Sequence, residues 1–235
     1  MINGTAESNS AMKYNSLFYA TSLALLLLNW GPAFPSGTTH SSRITIVDDG
    51  ARNASFSSFR SRLLQAIKQR DRNFVEQIVS AHIQTGLGAA TGKQAFNEQW
   101  DNLSNSSTFW PRFARALNHG AKYERETGEY EAPAIDFEDN GGEQIQGVVW
   151  NKRSILHEAP SSSSCIVRVL DCESVDILKP ADPAPIKEEW VKVKTKSGEL
   201  GFLKSEDIFS AYDEYASFKK LGEKWQLTWF GVAGL

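Results

Sequence analysis

The sequence has little cysteine, little histidine and no long hydrophobic run. Its 235 residues include 2 Cys and 4 His. No H-x-x-x-H or H-E-x-x-H pattern occurs, and Cys165 and Cys172 lack the spacing of zinc ligands, so no metal site is expected. The 25 Lys and Arg residues, against 28 Asp and Glu, form no basic stripe. A nucleic-acid partner is therefore not expected.

The two cysteines are not expected to form a disulfide. If a strand runs from Cys165 to Leu170, a rise of about 3.3 Å per residue separates the Cα atoms of Cys165 and Cys172 by more than the roughly 7 Å limit. We therefore expect two separate, structural thiols.

The N-terminal segment has the pattern of an export signal. Lys13 precedes the apolar run 17–28, which is shorter than the roughly 20 residues that span a bilayer. Met12, directly before Lys13, is an alternative start of translation. Gly31 and Ala33 then provide a small-x-small cleavage site.

Residues 1–33 are therefore predicted to be a signal peptide, with a mature chain starting near Phe34. The protein is expected in a periplasm or outside the cell. The alternatives are a buried N-terminal helix and an uncleaved anchor, and an uncleaved signal is the only membrane contact expected.

Beyond the signal, the apolar pattern changes from helical to strand spacing, which predicts an α+β protein. A helical N-terminal domain is followed by a small β-barrel and a β-hairpin. The predicted divisions are a linker at 34–54, a helical domain at 55–122, an acidic connection at 123–146, a barrel at 147–210 and a C-terminal hairpin at 211–235.

In the helical domain, apolar residues recur on one face of each helix. Asp71 is predicted to cap a second helix that continues through Val79. The aromatic stripe is expected to be core and not a cofactor site. The inward residues of the first helix are Phe56, Phe59, Leu63, Ala66 and Ile67, and later helices carry Phe96, Trp100, Phe109, Trp110 and Phe113.

The barrel region resembles a bacterial SH3 domain. The resemblance rests on residues 154–161, 165–170 and 174–178, and most closely on 189–203 with its Trp strand, tight turn and Gly-aromatic strand. It implies a small β-barrel and a cell-wall-binding role. The sequence departs from the family's usual pattern at His157, Ala159 and Phe202.

The residues themselves agree with this resemblance. Val191 and Val193 alternate with lysines, which is typical of a strand with one buried face. Gly201 stands where a tightly bent strand needs no side chain. A generic β-hairpin is the alternative for this stretch.

The C-terminal hairpin has an apolar face, since Trp225, Leu227 and Trp229 alternate along one strand. We expect it to pack on the helices, which makes the barrel an insertion in one α+β domain. Residues 66–71, Phe96 and the strands at 218–225 resemble nuclear-transport-factor-2-like (NTF2-like) proteins, which are small cone-shaped α+β folds.

No catalytic motif is found. Residues 86–93 are similar to a phosphate loop, but the glycine spacing is wrong and Gln94 follows Lys93, so a turn between helices is expected. Asp136, Glu138 and Asp139 lie in an acidic run that is expected to be solvated and not to act in glycoside hydrolysis. We expect no cofactor and no enzymatic activity.

The first functional hypothesis is an exported, non-catalytic binding or scaffold protein whose SH3-like barrel binds a peptide or a cell-envelope polymer. Aromatic side chains offer contact area at low entropic cost, and a histidine adds a polar group. The alternative is that Trp190 and Phe202 are barrel core. The candidate groove residues are His157, Trp190, Phe202 and Tyr212.

The second hypothesis is a small-molecule-binding or enzymatic pocket between the helices and the C-terminal hairpin. It predicts an apolar cavity near Trp100, Trp110 and Trp229, with His82 or Asp71 as a polar group.

Overall fold

The computed structural model of the protein describes residues 44–137, 145–178 and 189–232. The predicted signal peptide lies outside these residues, as do residues 34–43 of the predicted linker and 138–144 of the acidic connection, which include Glu138 and Asp139. Within the three described ranges, no helix is both long and apolar enough to cross a membrane.

The first described range contains five α-helices, and their predicted apolar faces are buried. Asp71 caps the third helix as predicted, because its side chain accepts a hydrogen bond from the N–H of Phe74 at 3.0 Å. The helices are α1 (Asp49–Arg52), α2 (Ala54–Gln69), α3 (Arg72–Ile78), α4 (Lys93–Gln99) and α5 (Phe109–Leu117).

The segment before α2 is tied to the helices by Asp48. This part of the predicted linker contains α1, and the Asp48 carboxylate accepts hydrogen bonds from the N–H groups of Ala51 and Ala121 and pairs with Arg60 at 2.6 Å. Burial acts to raise the pKa of Asp48, but the hydrogen bonds from Arg60, Ala121 and Ala51 together lower it below its usual value.

The prediction of a helix through Val79 is wrong. The helix ends at Ile78, and strand β1 (Val79–Gln84) follows and pairs in parallel with the last strand of the chain, β10 (Lys224–Val232). Hydrophobic spacing over a few residues does not distinguish these outcomes, since the strand partner lies far away in the sequence.

Three further strands complete the large sheet, in the order β1–β10–β9–β3–β2. The strands β9 and β10 form the predicted C-terminal hairpin. The predicted acidic connection is not a loop throughout, because it contains the hairpin of β2 and β3. These strands are β2 (Lys122–Glu124), β3 (Glu129–Ala132) and β9 (Glu214–Leu221).

Aromatic rings fill the space between the helices and the large sheet. Phe56 of α2 stacks on Tyr130 with ring centres 4.2 Å apart and meets Phe218 at 5.7 Å. Trp100 lies 4.9 Å from Phe230. The C-terminal hairpin therefore packs on the helices, as the sequence predicts.

A small sheet is inserted in the chain between β3 and β9, which are neighbours in the large sheet. Its order is β5–β6–β7–β4–β8, and β4 also pairs with β5, so four of the strands form a ring. Its strands are β4 (Ile145–His157), β5 (Ile166–Ile177), β6 (Trp190–Thr195), β7 (Leu200–Lys204) and β8 (Ile208–Ser210).

Close backbone approach inside the small sheet explains the glycine in β7. A Cβ atom at Gly201 would lie 2.7 Å from the carbonyl oxygen of His157 and 2.7 Å from Cγ of Leu156. The expectation that this position carries no side chain is confirmed.

Arg115 of α5 links the helices to the small sheet. Its guanidinium donates to the backbone carbonyls of Ser205, at 3.2 Å, and Ile208, and lies 4.7 Å from the ring centre of Trp150. His119 stacks on the same indole with centroids 3.5 Å apart. Burial, and then the nearby Arg115 charge, lowers the pKa of His119 to about 4.

Candidate functional site

Three of the four predicted groove residues lie together on the small sheet. His157 is the last residue of β4 and pairs with Phe202 of β7. The His157 ring meets the ring of Trp190 edge to face, with centroids 5.3 Å apart and an interplanar angle of 88°. The three rings come from three different strands, so only the folded sheet brings them together.

Trp190 and Phe202 are not part of the barrel core. Along β6 the side chains alternate, so Val191 and Val193 point into the small core while Trp190 points outward. In β7, Leu203 is buried in that core and Phe202 faces outward. Both aromatic side chains are half-buried on the outer surface, where they can contact a ligand.

His157 packs beside these two side chains. Only 6% of the residue is exposed, and its Nδ1 atom lies 3.2 Å from the carbonyl oxygen of Ser164. A ring held in this way fixes the edge against which the Trp190 indole packs. The contact surface offered to solvent therefore comes mainly from Trp190 and Phe202.

Lysines surround the two aromatic rings. Lys192 and Lys194 follow Trp190 at alternate positions of β6 and share its outward face, and both are exposed. The Lys192 ammonium lies 6.0 Å from the Phe202 ring centre. Lys204 is the β7 residue that pairs with Trp190. We call this surface the aromatic-lysine face: Trp190, Lys192, Lys194, Phe202 and Lys204.

Tyr212 lies in a different place. It follows β8, and its backbone N–H donates to Oγ of Ser210 at 3.2 Å. Strand β8 pairs with Gly147, Val148 and Val149, near the start of β4, whereas His157 is the last residue of that strand. The geometry therefore groups three of the four predicted residues.

A second concave site lies on the large sheet, on the face turned away from the helices. This cleft has a volume of about 560 Å³, within the range of small-molecule sites. We call it the outer cleft. Residues of all five strands of the large sheet and of the segment after β3 line it, among them His82, Lys122, Glu131, Asp136, Tyr215 and Trp229.

The residues named for a pocket between the helices and the hairpin lie on opposite sides of the sheet. Trp100 and Trp110 are 5% and 2% exposed and fill the helix side. His82 and Trp229 line the outer cleft. Asp71 serves as the cap of α3.

The predicted acidic connection at residues 123–146 gives no indication of the acid-base pattern of the outer cleft, because β3 and most of β2 lie within it. Lys122 pairs with Glu131 at 3.5 Å and with Asp136. A signal was present, since Glu129 and Glu131 alternate with the buried Tyr130 and Ala132.

Burial acts to lower the pKa of Lys122, but its contacts with Asp136 and Glu131 raise it above its usual value. Burial, and then the nearby Asp136 charge, raises the pKa of the Tyr215 phenol. Lys122 therefore stays protonated and Tyr215 keeps its hydroxyl proton at neutral pH.

The turn expected at residues 86–93 joins a strand to a helix and not two helices. The strand β1 precedes it and α4 begins at Lys93. The Lys93 ammonium donates to the carbonyl of Glu76 at 3.0 Å and does not point into the turn. Across the described ranges, no group of three or more His, Cys, Asp or Glu side chains could hold a metal ion.

Neither cysteine of the small sheet belongs to the aromatic-lysine face or lines the outer cleft. Cys165 is exposed beside the start of β5, and the Cys172 sulfur lies 3.8 Å from the carbonyl oxygen of Trp150.

Comparison with protein-family models and with curated proteins gave no match to this chain.

Proposed function

We propose that the protein is an exported, non-catalytic binding protein whose small sheet is an SH3-like domain. Its ligand is an extended, acidic peptide, either free or as the peptide part of a cell-envelope polymer. The observation that carries the proposal is the position of Trp190 and Phe202, which lie on the outer surface beside lysines and not in the core.

The resemblance to bacterial SH3 domains supports this assignment. The small sheet has the strand series of that resemblance, with Trp190 starting one strand and Gly201 and Phe202 in the next. Its strands close into a ring around an apolar core of their own. By the same reasoning, we propose that the helices and the large sheet form an NTF2-like unit that carries the SH3-like domain.

The chemistry of the aromatic-lysine face favours an acidic ligand. Aromatic rings bind peptides through contact area at low entropic cost. Lys192 and Lys194 form no ion pair with any described residue, so their charges are available to carboxylates. Charge complementarity of this kind sets partner choice and association rate.

The test is binding of the purified protein to two probes. One is insoluble bacterial cell-wall polymer in a sedimentation assay, and the other is a soluble ten-residue peptide of alternating Glu and Ala in calorimetry. We expect Trp190→Ala to weaken binding at least tenfold, because loss of a central aromatic contact costs about 2 kcal/mol or more. Lys192→Gln should weaken binding and reduce its salt dependence.

The matched control is Leu221→Ala, which removes a 47% exposed apolar side chain from the large sheet. It should leave binding unchanged. Equal binding by Trp190→Ala and the unmodified protein would contradict the proposal. It would also be contradicted if the unmodified protein bound neither probe. Thermal unfolding of each variant separates a lost contact from a lost fold.

A further inference from the structure

We propose that the outer cleft binds a small organic cation, an amine or guanidinium compound. This site is separate from the aromatic-lysine face and belongs to the large sheet. The inference is independent of the proposed peptide binding and stands on the shape, walls and charge of the cleft.

The cleft has room for a ligand and polar groups to orient it. Its volume of about 560 Å³ suits a small molecule. Hydroxyl groups of Ser80, Ser217 and Thr228 line it beside the charged side chains. The sheet face is therefore concave and polar here, whereas the face towards the helices is filled by aromatic rings.

A β-bulge shapes one wall. Two residues of β10, Thr228 and Trp229, stand opposite the single residue Ser217 of β9, so both side chains reach the cleft. The Thr228 hydroxyl donates to the carbonyl of Ser217 at 3.0 Å, and the Trp229 indole N–H donates to the carbonyl of Gly231 at 3.1 Å. With its N–H satisfied, the indole needs no hydrogen-bond acceptor in the cleft, and its π system can attract a cation there.

The charges of the cleft select against anions. Glu129, Glu131 and Asp136 face one lysine, Lys122, so these four side chains carry a formal charge of −2. Lys122 is already paired with Glu131 and Asp136. Glu129 forms no ion pair with any described residue, so its carboxylate is open to a ligand cation.

Tyr215 adds a phenol to the cleft on β9, two residues before Ser217, which stands opposite the bulge. Its ring packs against Phe209 of the small sheet with centroids 5.2 Å apart, which fixes the phenol at the cleft. The phenol remains protonated at neutral pH for the reasons given above. Its oxygen can accept a hydrogen bond from an ammonium or guanidinium N–H.

The experiment measures binding of agmatine, which carries a guanidinium and an amine, to the whole protein by calorimetry. Succinate is the anionic counterpart. We expect agmatine to bind and succinate not to bind, and Glu129→Gln and Trp229→Phe each to weaken agmatine binding at least fivefold. Glu223→Gln is the matched control, because it removes the same charge from the exposed β9–β10 turn. It should have no effect.

Trp190→Ala should also leave agmatine binding unchanged, because Trp190 lies on the aromatic-lysine face. The peptide proposal and the outer-cleft proposal can therefore fail independently of each other. Three results would overturn the inference: no agmatine binding at millimolar concentration, equal affinity in Glu129→Gln and Glu223→Gln, or succinate binding as tight as agmatine binding. Thermal unfolding shows whether each variant is folded before its binding is compared.

Discussion

Single side chains at the junction of the two sheets carry several interactions at once. Arg115 donates to the backbone carbonyls of Ser205 and Ile208 and lies over Trp150, on which the ring of His119 also stacks. A positive charge at His119 would meet the Arg115 guanidinium in a partly buried setting. The folded protein therefore favours neutral His119.

This gives a pH prediction. The folded-state pKa of His119 is about 4, against 6.5 in the unfolded chain. Below pH 6.5 the unfolded state gains a proton that the folded state does not, so His119 lowers stability as the pH falls from 6.5 to 4. About 3 kcal/mol is the limit that this shift sets, and the loss is smaller because His119 is only partly buried and solvent screens its charge.

Urea unfolding at pH 7 and pH 4.5 measures this effect. In His119→Gln, which does not titrate, the stability difference between the two pH values should be smaller than in the unmodified protein. Because all other groups titrate in both proteins, their contributions cancel in the comparison. The same pH dependence in both proteins would contradict the assignment.

At the scale of elements, α5 is the helix that joins the parts of the molecule. Arg112 forms an ion pair with Glu214 at the start of β9, while Arg115 contacts the small sheet. Burial raises the pKa of Glu214 above its usual value despite the opposing effect of Arg112. The negative charge of the buried Glu214 carboxylate therefore depends on its ion pair with Arg112.

The parallel pairing of β1 with β10 depends on a glycine. A Cβ atom at Gly231 would lie 2.2 Å from the carbonyl oxygen of Thr85, a backbone atom just after β1. We expect Gly231→Ala to destabilise the protein by about 1–3 kcal/mol or more, since the strands must separate to admit the methyl group.

The measurement is the free energy of unfolding in urea, with Lys224→Ala at the exposed start of the same strand as control. The control should change stability by less than about 0.5 kcal/mol. If Gly231→Ala were as stable as the control, the close approach of β10 to Thr85 would be incorrect.

Elements differ in how far the sequence predicts them. The inward face of α2 and the cap at Asp71 were predicted correctly, because both depend on residues within one or two turns of helix. The strand at Val79 was predicted as helix, because its partner Leu227 is remote in sequence. Likewise, the β2–β3 hairpin is stabilised by pairing with β9, which local composition does not reveal.

At the scale of the whole molecule, one chain builds a helix-covered sheet and inserts a second sheet into it. The two candidate sites lie on different sheets and differ in charge, the aromatic-lysine face being basic and the outer cleft acidic. The proposed peptide-binding surface and the proposed small-molecule cleft can therefore be tested separately in the same protein.

Export is a property of the whole chain and stays a prediction. When the full sequence is expressed in a bacterium, we expect a product outside the cytoplasm whose N-terminal residue is at or near Phe34. Lys13→Glu combined with Leu25→Arg, which breaks the charge and the apolar run of the signal, should keep the protein in the cell. N-terminal sequencing of the exported product locates the cleavage site. An intact N-terminus at Met1 or Met12 would contradict the prediction of a cleaved signal peptide.

The sequence by itself determined features that local spacing controls. These are the buried stripe of α2, the outward position of Lys192 beside inward Val191, and the need for glycine at residue 201. It also named His157, Trp190, Phe202 and Tyr212 as groove residues, of which the first three lie together in the structure. The tertiary structure decided that Phe202 lies beside Lys192 and Trp190 beside Lys204 on one outward face, because the register of β6 with β7 sets which residues are neighbours.

Only the tertiary structure revealed the outer cleft. Its residues come from β1, β2, β3, β9 and β10, which are separated by up to about 150 positions, and no local pattern links them. Their convergence follows from strand order and from one bulge at Thr228 and Trp229. Local periodicity sets which face a side chain occupies, whereas long-range pairing sets which side chains share that face.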